Sequence, residues 1–235
     1  GLDRILSTNT QTGDVREDKI VAMFYWTWHG DFGNGQTAFN NQQNIDQLIA
    51  MGKTERDYMT LSISELRKLG IKTQMGPYHF WDEPIYGYYD GDDEWVIRKQ
   101  AELLAAADID VVFFDNTNGT ENYMQAILTL CEVWAEARAD GVKTPQISAM
   151  LNMYAYNETA IQIKELYDRI YSKGLYQDLW FYWEGKPLLL GYPEEVKRLE
   201  NGKEIYNFFS YRPINTSYNE DQELIKQSDA SNRIT

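Results

Sequence analysis

The sequence predicts an α/β protein with a parallel sheet, because β-type apolar runs alternate with helical segments along the chain. The runs cover residues 20–26, 71–78, 111–115, 146–151, 179–183, 188–192 and 205–211. About six of them are barrel-type strands, whereas a complete (β/α)8 barrel has eight. We therefore expect a (β/α)8 TIM-like barrel that is incomplete or truncated at its C-terminal end.

A doubly wound open sheet is the alternative architecture. It is less favoured because the first strand–helix turn, WTWHGD over residues 26–31, lacks the glycine fingerprint of a dinucleotide site. A length of 235 residues suits a single α/β barrel domain. We expect an irregular arm over 1–18, the barrel domain over 19–214 and a polar tail over 215–235.

Individual strands and turns have distinct patterns. Residues 20–26 and 111–115 are near-continuous apolar runs, which are typical of strands buried on both faces. The polar break at 184–187 predicts a hairpin between its flanking apolar runs. The aromatic-rich run 205–211 predicts a last strand.

The helical segments are marked by their ends. A helical region is predicted from Ile45 to Leu69, where Gly70 ends it. Asp92 and Asp93 precede a helix whose apolar residues recur at helical spacing. Two later helices are predicted over 123–140 and 158–171, ended by glycines.

Charge and cysteine content exclude several classes of function. The chain has 22 basic and 36 acidic residues and a net charge of −14, which disfavours binding to nucleic acid or to an anionic membrane surface. Cys131 is the only cysteine and lies in an apolar helical stretch, so a buried structural thiol is expected. No metal-binding spacing motif is present, and we expect no metal or other cofactor.

Three short stretches gather the side chains that could do chemistry. Residues 25–30, 76–84 and 115–119 each follow a β-type run and are rich in aromatic, imidazole, amide or carboxylate groups. The carboxyl ends of parallel strands lie on one side of a sheet, so these stretches are expected to meet in one pocket. Aromatic faces beside carboxylates and amides suit a sugar, which predicts a carbohydrate ligand.

Asp115 and Glu83 are the predicted catalytic residues. Glycosidases place two carboxyl groups across the scissile bond, one as the acid and the other as nucleophile or base. Asp115 ends a wholly apolar strand, where a carboxylate is costly to bury unless it is hydrogen-bonded or used. The alternative is that Asp115 caps the following turn, since its neighbours are turn-forming residues.

Six further residues are predicted to bind the substrate. Indole rings could stack on sugar rings, while imidazoles and amides could bind the hydroxyls. They are His29, His79, Trp28, Trp81, Asn116 and Asn118. Trp26 and Tyr25, inside the first strand, are expected in the core. The histidines could instead be core residues, or could form a metal site with Asp115.

Several of these stretches resemble a known family. Residues 21–30, 76–89, 92–99, 107–119 and 184–189 are similar to a bacterial group of glycoside-hydrolase-like barrels. The group is distantly related to endo-α-mannosidases and fungal α-1,3-glucanases. The resemblance covers about residues 20 to 211. It implies a (β/α)8 fold, a secreted or periplasmic protein of a polysaccharide-degrading bacterium, and action on glycosidic bonds.

One departure from that family limits which catalytic residues the resemblance can assign in this chain. The endo-α-mannosidases have their working glutamates in a late Asn-Glu-Trp-x-Glu string, and neither 156–159 nor 218–221 matches it. We therefore transfer no catalytic glutamate. The predicted function is a glycoside hydrolase, and the alternative is a non-catalytic carbohydrate-binding barrel or an inactive fragment of a larger glycosidase. An incomplete barrel would leave open strand edges, which a homodimer or a further segment would cover.

Overall fold

The computed structural model describes residues 5, 7–14, 18–29, 41–71, 84–153 and 156–213. These residues contain one six-stranded sheet and eight α-helices. The strands are β1 (Ala22–Tyr25), β2 (Val111–Asn116), β3 (Gln146–Leu151), β4 (Tyr182–Trp183), β5 (Lys186–Leu190) and β6 (Ser210–Arg212). The helices are α1 (Asn9–Thr12), α2 (Asn41–Ala50), α3 (Glu55–Thr60), α4 (Ile63–Lys68), α5 (Glu94–Ala106), α6 (Met124–Ala139), α7 (Tyr156–Leu166) and α8 (Gly202–Phe208).

The sheet is parallel except for one hairpin. Its order is β1-β2-β3-β5-β4, with β6 on β5, and only the β4–β5 pair is antiparallel. The prediction of a parallel α/β sheet is therefore confirmed. Ala22 pairs with Val111 and Tyr25 with Phe114, so β1 and β2 are direct neighbours with no strand between them. Apart from Ile71, the predicted strand 71–78 lies outside the described residues.

The two faces of the sheet have different surroundings. Val112 and Phe114 on β2 belong to a large core that includes Ile97 of α5, Ile127 of α6 and Ile163 of α7. We call this side the helix-covered face. The alternate residues form a second core made only of strand and hairpin residues, and we call that side the inner face. Its members are Val111, Phe113, Met150, Phe181, Leu188 and Leu190.

The expectation that the first strand is buried on both faces is wrong. Val21, Phe24 and Trp26 are 50%, 53% and 49% exposed. The reason is position: β1 is the terminal strand of the described sheet and has β2 as its single partner there. By contrast, all six residues of β2 are buried, as predicted.

The predicted helix from Ile45 to Leu69 is instead three short helices, α2 to α4. Gly52 adopts a left-handed φ of 78° and ends the first of them. Thr54 and Ser62 each form a capping box, with Asp57 and Glu65 respectively, and so start two new helices. The helical spacing of the apolar residues predicts helix here, and the Thr54 and Ser62 caps divide it into separate helices.

The end of the sheet confirms one prediction and corrects another. The hairpin predicted at 184–187 is present, and its two turn residues, Glu184 and Gly185, have φ of 52° and 80° as a type I′ turn requires. The strand predicted over 205–211 is wrong over most of its length. Ile205 is buried on α8, the backbone becomes extended at Phe209, and β6 begins at Ser210. Tertiary packing of the aromatic residues overrides their β-propensity here.

Helices α5, α6 and α7 lie close to their predicted positions, whereas the four-residue α1 lies within the arm that was expected to be irregular. Asp93 caps α5 by accepting a hydrogen bond from the Val96 amide at 3.0 Å. Cys131 on α6 is fully buried, as expected, and burial raises the pKa of its thiol to about 12. No helix in the described ranges is long and apolar enough to cross a membrane.

Candidate functional site

The C-terminal ends of β1 and β2 lie side by side, because the two strands pair in parallel. Asp115 is the fifth residue of β2 and, by alternation, shares the inner face with Val111 and Phe113. Trp26 follows directly after the last paired residue of β1, so it lies one position beyond the pair Tyr25–Phe114, next to Asp115. The carboxylate predicted to be catalytic thus lies at the carboxyl edge of the sheet, beside an exposed indole.

Asp115 uses one carboxylate oxygen for local structure. Its Oδ1 accepts hydrogen bonds from the Thr117 hydroxyl at 2.6 Å and from the Thr117 amide at 3.2 Å. The turn-capping role considered from the sequence is therefore present. Among the described residues, Oδ2 has no hydrogen-bond partner, and the residue as a whole is 7% exposed. A carboxylate fixed through one oxygen, with the other unengaged, can take or give a proton at a bound substrate.

An aromatic cluster lies next to this edge. The ring centroids of Trp26 and Trp28 are 5.3 Å apart, and the His29 ring stacks on Trp28 at 6.0 Å. Tyr89 completes the cluster with an edge contact to His29 at 5.5 Å. The prediction that Trp26 belongs to the core is wrong, since its side chain is half exposed. The cluster offers flat apolar surface of the kind that packs against sugar rings.

The loop before α5 holds the aromatic cluster in place. The Gly91 amide donates to the His29 carbonyl at 2.8 Å. A Cβ at Gly91 would lie 2.4 Å from the Thr27 carbonyl oxygen, so only glycine permits this approach. On the other side Tyr25 packs against Trp134 in the core, as predicted, and its hydroxyl hydrogen-bonds Gln100. Burial raises the pKa of the Tyr25 phenol.

Tyr123 is a candidate site residue that the sequence pattern does not indicate. It adopts a left-handed conformation at φ 52°, which is costly for a bulky side chain and marks constrained backbone. Burial, together with the negative charges of Glu121 and Asp115, raises the pKa of its phenol to about 12, although a hydrogen bond from Asn118 opposes this shift. The phenol therefore remains a hydrogen-bond donor at neutral pH. Asn118 is exposed, so it is accessible to a ligand.

Asn116 has surroundings unlike those of Asp115. It is fully buried and lies on the helix-covered face, where its Nδ2 donates to Asn122 Oδ1 at 3.0 Å. Gln162, also fully buried, donates to the Asn116 carbonyl at 2.6 Å and accepts from the Asn152 amide at 2.9 Å. This placement favours a structural role for Asn116 over contact with sugar hydroxyls. The buried amides tie the ends of β2 and β3 to α7.

Three of the predicted site residues, Glu83, His79 and Trp81, lie outside the described residues. Their roles stay predictions. The alternative metal site of His29, His79 and Asp115 includes one of them. Within the described ranges, no group of three or more histidine, cysteine, aspartate or glutamate side chains is placed to hold a metal ion.

Comparison with known proteins gives distant likenesses. No protein-family model and no curated protein matches the sequence. One similar solved structure is the GH99 endo-α-mannosidase from Bacteroides thetaiotaomicron, at 18% identity and a TM-score of 0.46, covering 86% of this chain and 58% of that one. A second is the same enzyme in complex with bis-tris propane, at 16% identity and a TM-score of 0.42, covering 77% of this chain and 46% of that one. The chain thus spans about half the length of the structures it matches.

Proposed function

We propose that this protein is a glycoside hydrolase-like barrel protein that cleaves glycosidic bonds of a polysaccharide or glycan with Asp115 as one of two catalytic carboxyl groups. The observation that carries the proposal is the position of Asp115. It is a nearly buried carboxylate on the inner face, at the carboxyl end of a parallel strand, where catalytic residues of α/β barrels lie.

The surroundings of Asp115 support this role. Thr117 fixes the side chain through Oδ1 and leaves Oδ2 for a proton transfer. Trp26 and Trp28 provide ring surface beside the carboxylate, and Asn118 and the protonated Tyr123 phenol provide hydrogen-bond donors for hydroxyls. Glu83 is the proposed second carboxyl group, as the sequence predicts, and His29, His79 and Trp81 are proposed to line the subsites.

The same site supports a mechanism in outline. One carboxyl group protonates the leaving glycosidic oxygen, while the other either attacks the anomeric carbon or activates the water that does. We assign Asp115 to the pair without choosing between acid and base, because that choice depends on the separation from its partner carboxyl group.

A glycan panel tests the proposal. The full chain is incubated with mannans, glucans, xylans and amino-sugar polymers, and released reducing ends are measured. We expect release from at least one polymer, with Asp115→Asn abolishing it and retaining binding of the same oligosaccharide by calorimetry. Binding without release by the wild-type protein across the panel would favour the non-catalytic alternative instead.

A further inference from the structure

A cavity of about 590 Å³ lies between the β4–β5 hairpin and the segment 171–180. We call it the hairpin cavity. Lys186 is the first residue of β5, and Trp180 forms a bridge with Ile147 near the start of β3, so the cavity lies toward the amino ends of the strands. Asp115 lies at the opposite, carboxyl edge of the sheet. The wall of the hairpin cavity includes Lys173, Gln177, Trp180, Tyr182, Lys186 and Phe208.

The charge of the hairpin cavity is opposite to that of the whole chain. Lys173 and Lys186 line it, and none of its described lining residues is an aspartate or a glutamate. Both lysines are exposed, and within the described part of the chain neither ammonium group forms an ion pair. The chain as a whole carries 36 acidic residues and a net charge of −14. A concave surface with two such ammonium groups attracts an anion.

The acidic residues next to this wall in sequence do not neutralise it. Glu184, in the hairpin turn, lies 2.8 Å from the Arg212 guanidinium. Asp178, beside Gln177, is close enough to Arg138 for its charge to act on that guanidinium. Each carboxylate thus has an arginine near it, and the two lysines remain for a ligand.

Aromatic rings form a second and independent feature of the cavity. Tyr182 is 44% exposed, and its ring centroid lies 6.3 Å from that of Trp180 at an interplanar angle of 35°. Trp180 is itself buried, and its Nε1 donates to the Leu175 carbonyl at 2.9 Å, which fixes the indole. Phe208, partly buried, lies 6.3 Å from the same indole. The cavity therefore combines a supported, accessible ring with the two ammonium groups, and flat ring surface of this kind packs against sugar rings.

We propose that the hairpin cavity is an accessory binding site for an acidic saccharide, whose rings lie on Tyr182 and whose carboxylate or sulfate groups contact Lys173 and Lys186. A neutral glycan would not use the ammonium groups, and an aliphatic acidic peptide would lack the flat face that packs on the phenol. The choice of a saccharide rests on the proposed function, whereas the charge and the ring surface belong to the cavity itself. Since the cavity lies away from Asp115, the sugar bound there is not the one that is cleaved.

Calorimetry with matched probes tests the inference. The full chain carrying Asp115→Asn, which is expected to bind without cleavage, is titrated with tetragalacturonate, with its neutral methyl ester and with a sulfated galactose tetramer. At about pH 7, where carboxyl groups are ionised, we expect at least one acidic tetramer to have a dissociation constant at least about tenfold lower than that of the ester. The tighter of the two identifies the acidic group. The difference should shrink to less than about twofold near 1 M salt, because salt screens exposed charges.

Paired lysine variants assign the preference to the hairpin cavity. Together, Lys173→Gln and Lys186→Gln should weaken binding of the preferred acidic tetramer about tenfold, because two exposed charge contacts are lost, and should leave the ester unchanged. The matched control is the pair Lys53→Gln and Lys68→Gln, which makes the same change of net charge at exposed positions outside the cavity. It should leave both constants unchanged.

Variants of Tyr182 test the ring. Tyr182→Thr removes the ring and keeps a residue suited to a strand, and we expect it to weaken binding of the acidic tetramer about tenfold. Tyr182→Phe keeps the ring and should change binding by less than about twofold. Urea denaturation of each variant verifies that the fold persists.

The outcomes separate this inference from the proposed function. Equal affinity for the acidic tetramers and the ester, equally tight binding of tetra-aspartate, or no effect of the paired lysine variants would overturn the accessory site. If the wild-type protein then still cleaves a glycan in an Asp115-dependent way, the proposed function stands alone. Acidic tetramers that bind through Lys173 and Lys186, without cleavage of any glycan by the wild-type protein, would leave the accessory site and remove the hydrolase.

Discussion

The Thr117 hydroxyl donates a hydrogen bond of 2.6 Å to Asp115 Oδ1. The bond joins the last part of β2 to the loop that follows it, so it fixes both the direction of the carboxylate and the start of the loop. Local bonds of this kind hold a reacting group in its productive rotamer, and small misplacements of such a group are costly.

Replacing Thr117 should therefore impair function more than folding. We expect Thr117→Val to lower kcat about tenfold, because the carboxylate is less well positioned. The free energy of unfolding should fall by only about 1 kcal/mol, the net value of one hydrogen bond. Thr117→Ser keeps the hydroxyl and is the matched control. Kinetics and urea denaturation measure the two effects, and equal loss of kcat in both variants would contradict the positioning role.

Gln162 supports the same edge of the sheet from the helix-covered face. Its side chain donates to the carbonyls of Asn116 and Glu121 and accepts from the Asn152 amide. Gln162→Leu would leave these buried groups without their partner, and we expect it to lower the free energy of unfolding by about 3 kcal/mol. The control is the exposed Gln125 on α6. Gln125→Leu should change the free energy of unfolding by less than about 0.5 kcal/mol. A small loss for Gln162→Leu in urea denaturation would refute this assignment.

Buried tyrosines predict a loss of stability at alkaline pH. Tyr171 packs against Trp180 and Phe209, and its burial raises the pKa of its phenol above the ordinary value of 10.0. The unfolded chain therefore loses this proton at lower pH than the folded chain does. Stability is fully present below about pH 10 and decreases as pH rises beyond it, by up to about 1.4 kcal/mol per pH unit for one such group.

The variant Tyr171→Phe isolates that contribution. It removes the ionisable hydroxyl and keeps the ring, so the decrease of stability above pH 10 should be less steep than in the wild-type protein. Urea denaturation between neutral and alkaline pH gives the two slopes. Identical slopes would show that Tyr171 does not contribute to the alkaline transition.

The parallel sheet was predictable from sequence because its central strands are continuous apolar runs. Val111–Asn116 and Gln146–Leu151 form as expected, and Asp115 lies at the strand end where the sequence placed it. The alternation of side chains along β2 also separates Asp115 from Asn116.

Other features depend on tertiary context that a single sequence does not contain. The half-exposed Trp26 follows from the terminal position of β1, which the apolar run does not reveal. The left-handed backbone of Tyr123 has no signal in residue type, because tyrosine rarely adopts it. The role of Gln162 requires three chain segments to meet, so its sequence position alone could not predict it.

A comparison of two isosteric variants at opposite ends of β2 tests the central proposal most directly. Asp115→Asn changes the carboxyl end of β2, while Asp110→Asn changes a carboxylate just before β2, whose Oδ2 accepts from the Val21 amide at 2.8 Å. On the glycan that the wild-type protein cleaves, we expect Asp115→Asn to lower kcat/KM by about a thousandfold or more, as loss of a catalytic acid or base does. Asp110→Asn should keep most of the activity. Comparable activity in the two variants, whether both retain it or both lose it, would contradict the assignment of catalysis to Asp115.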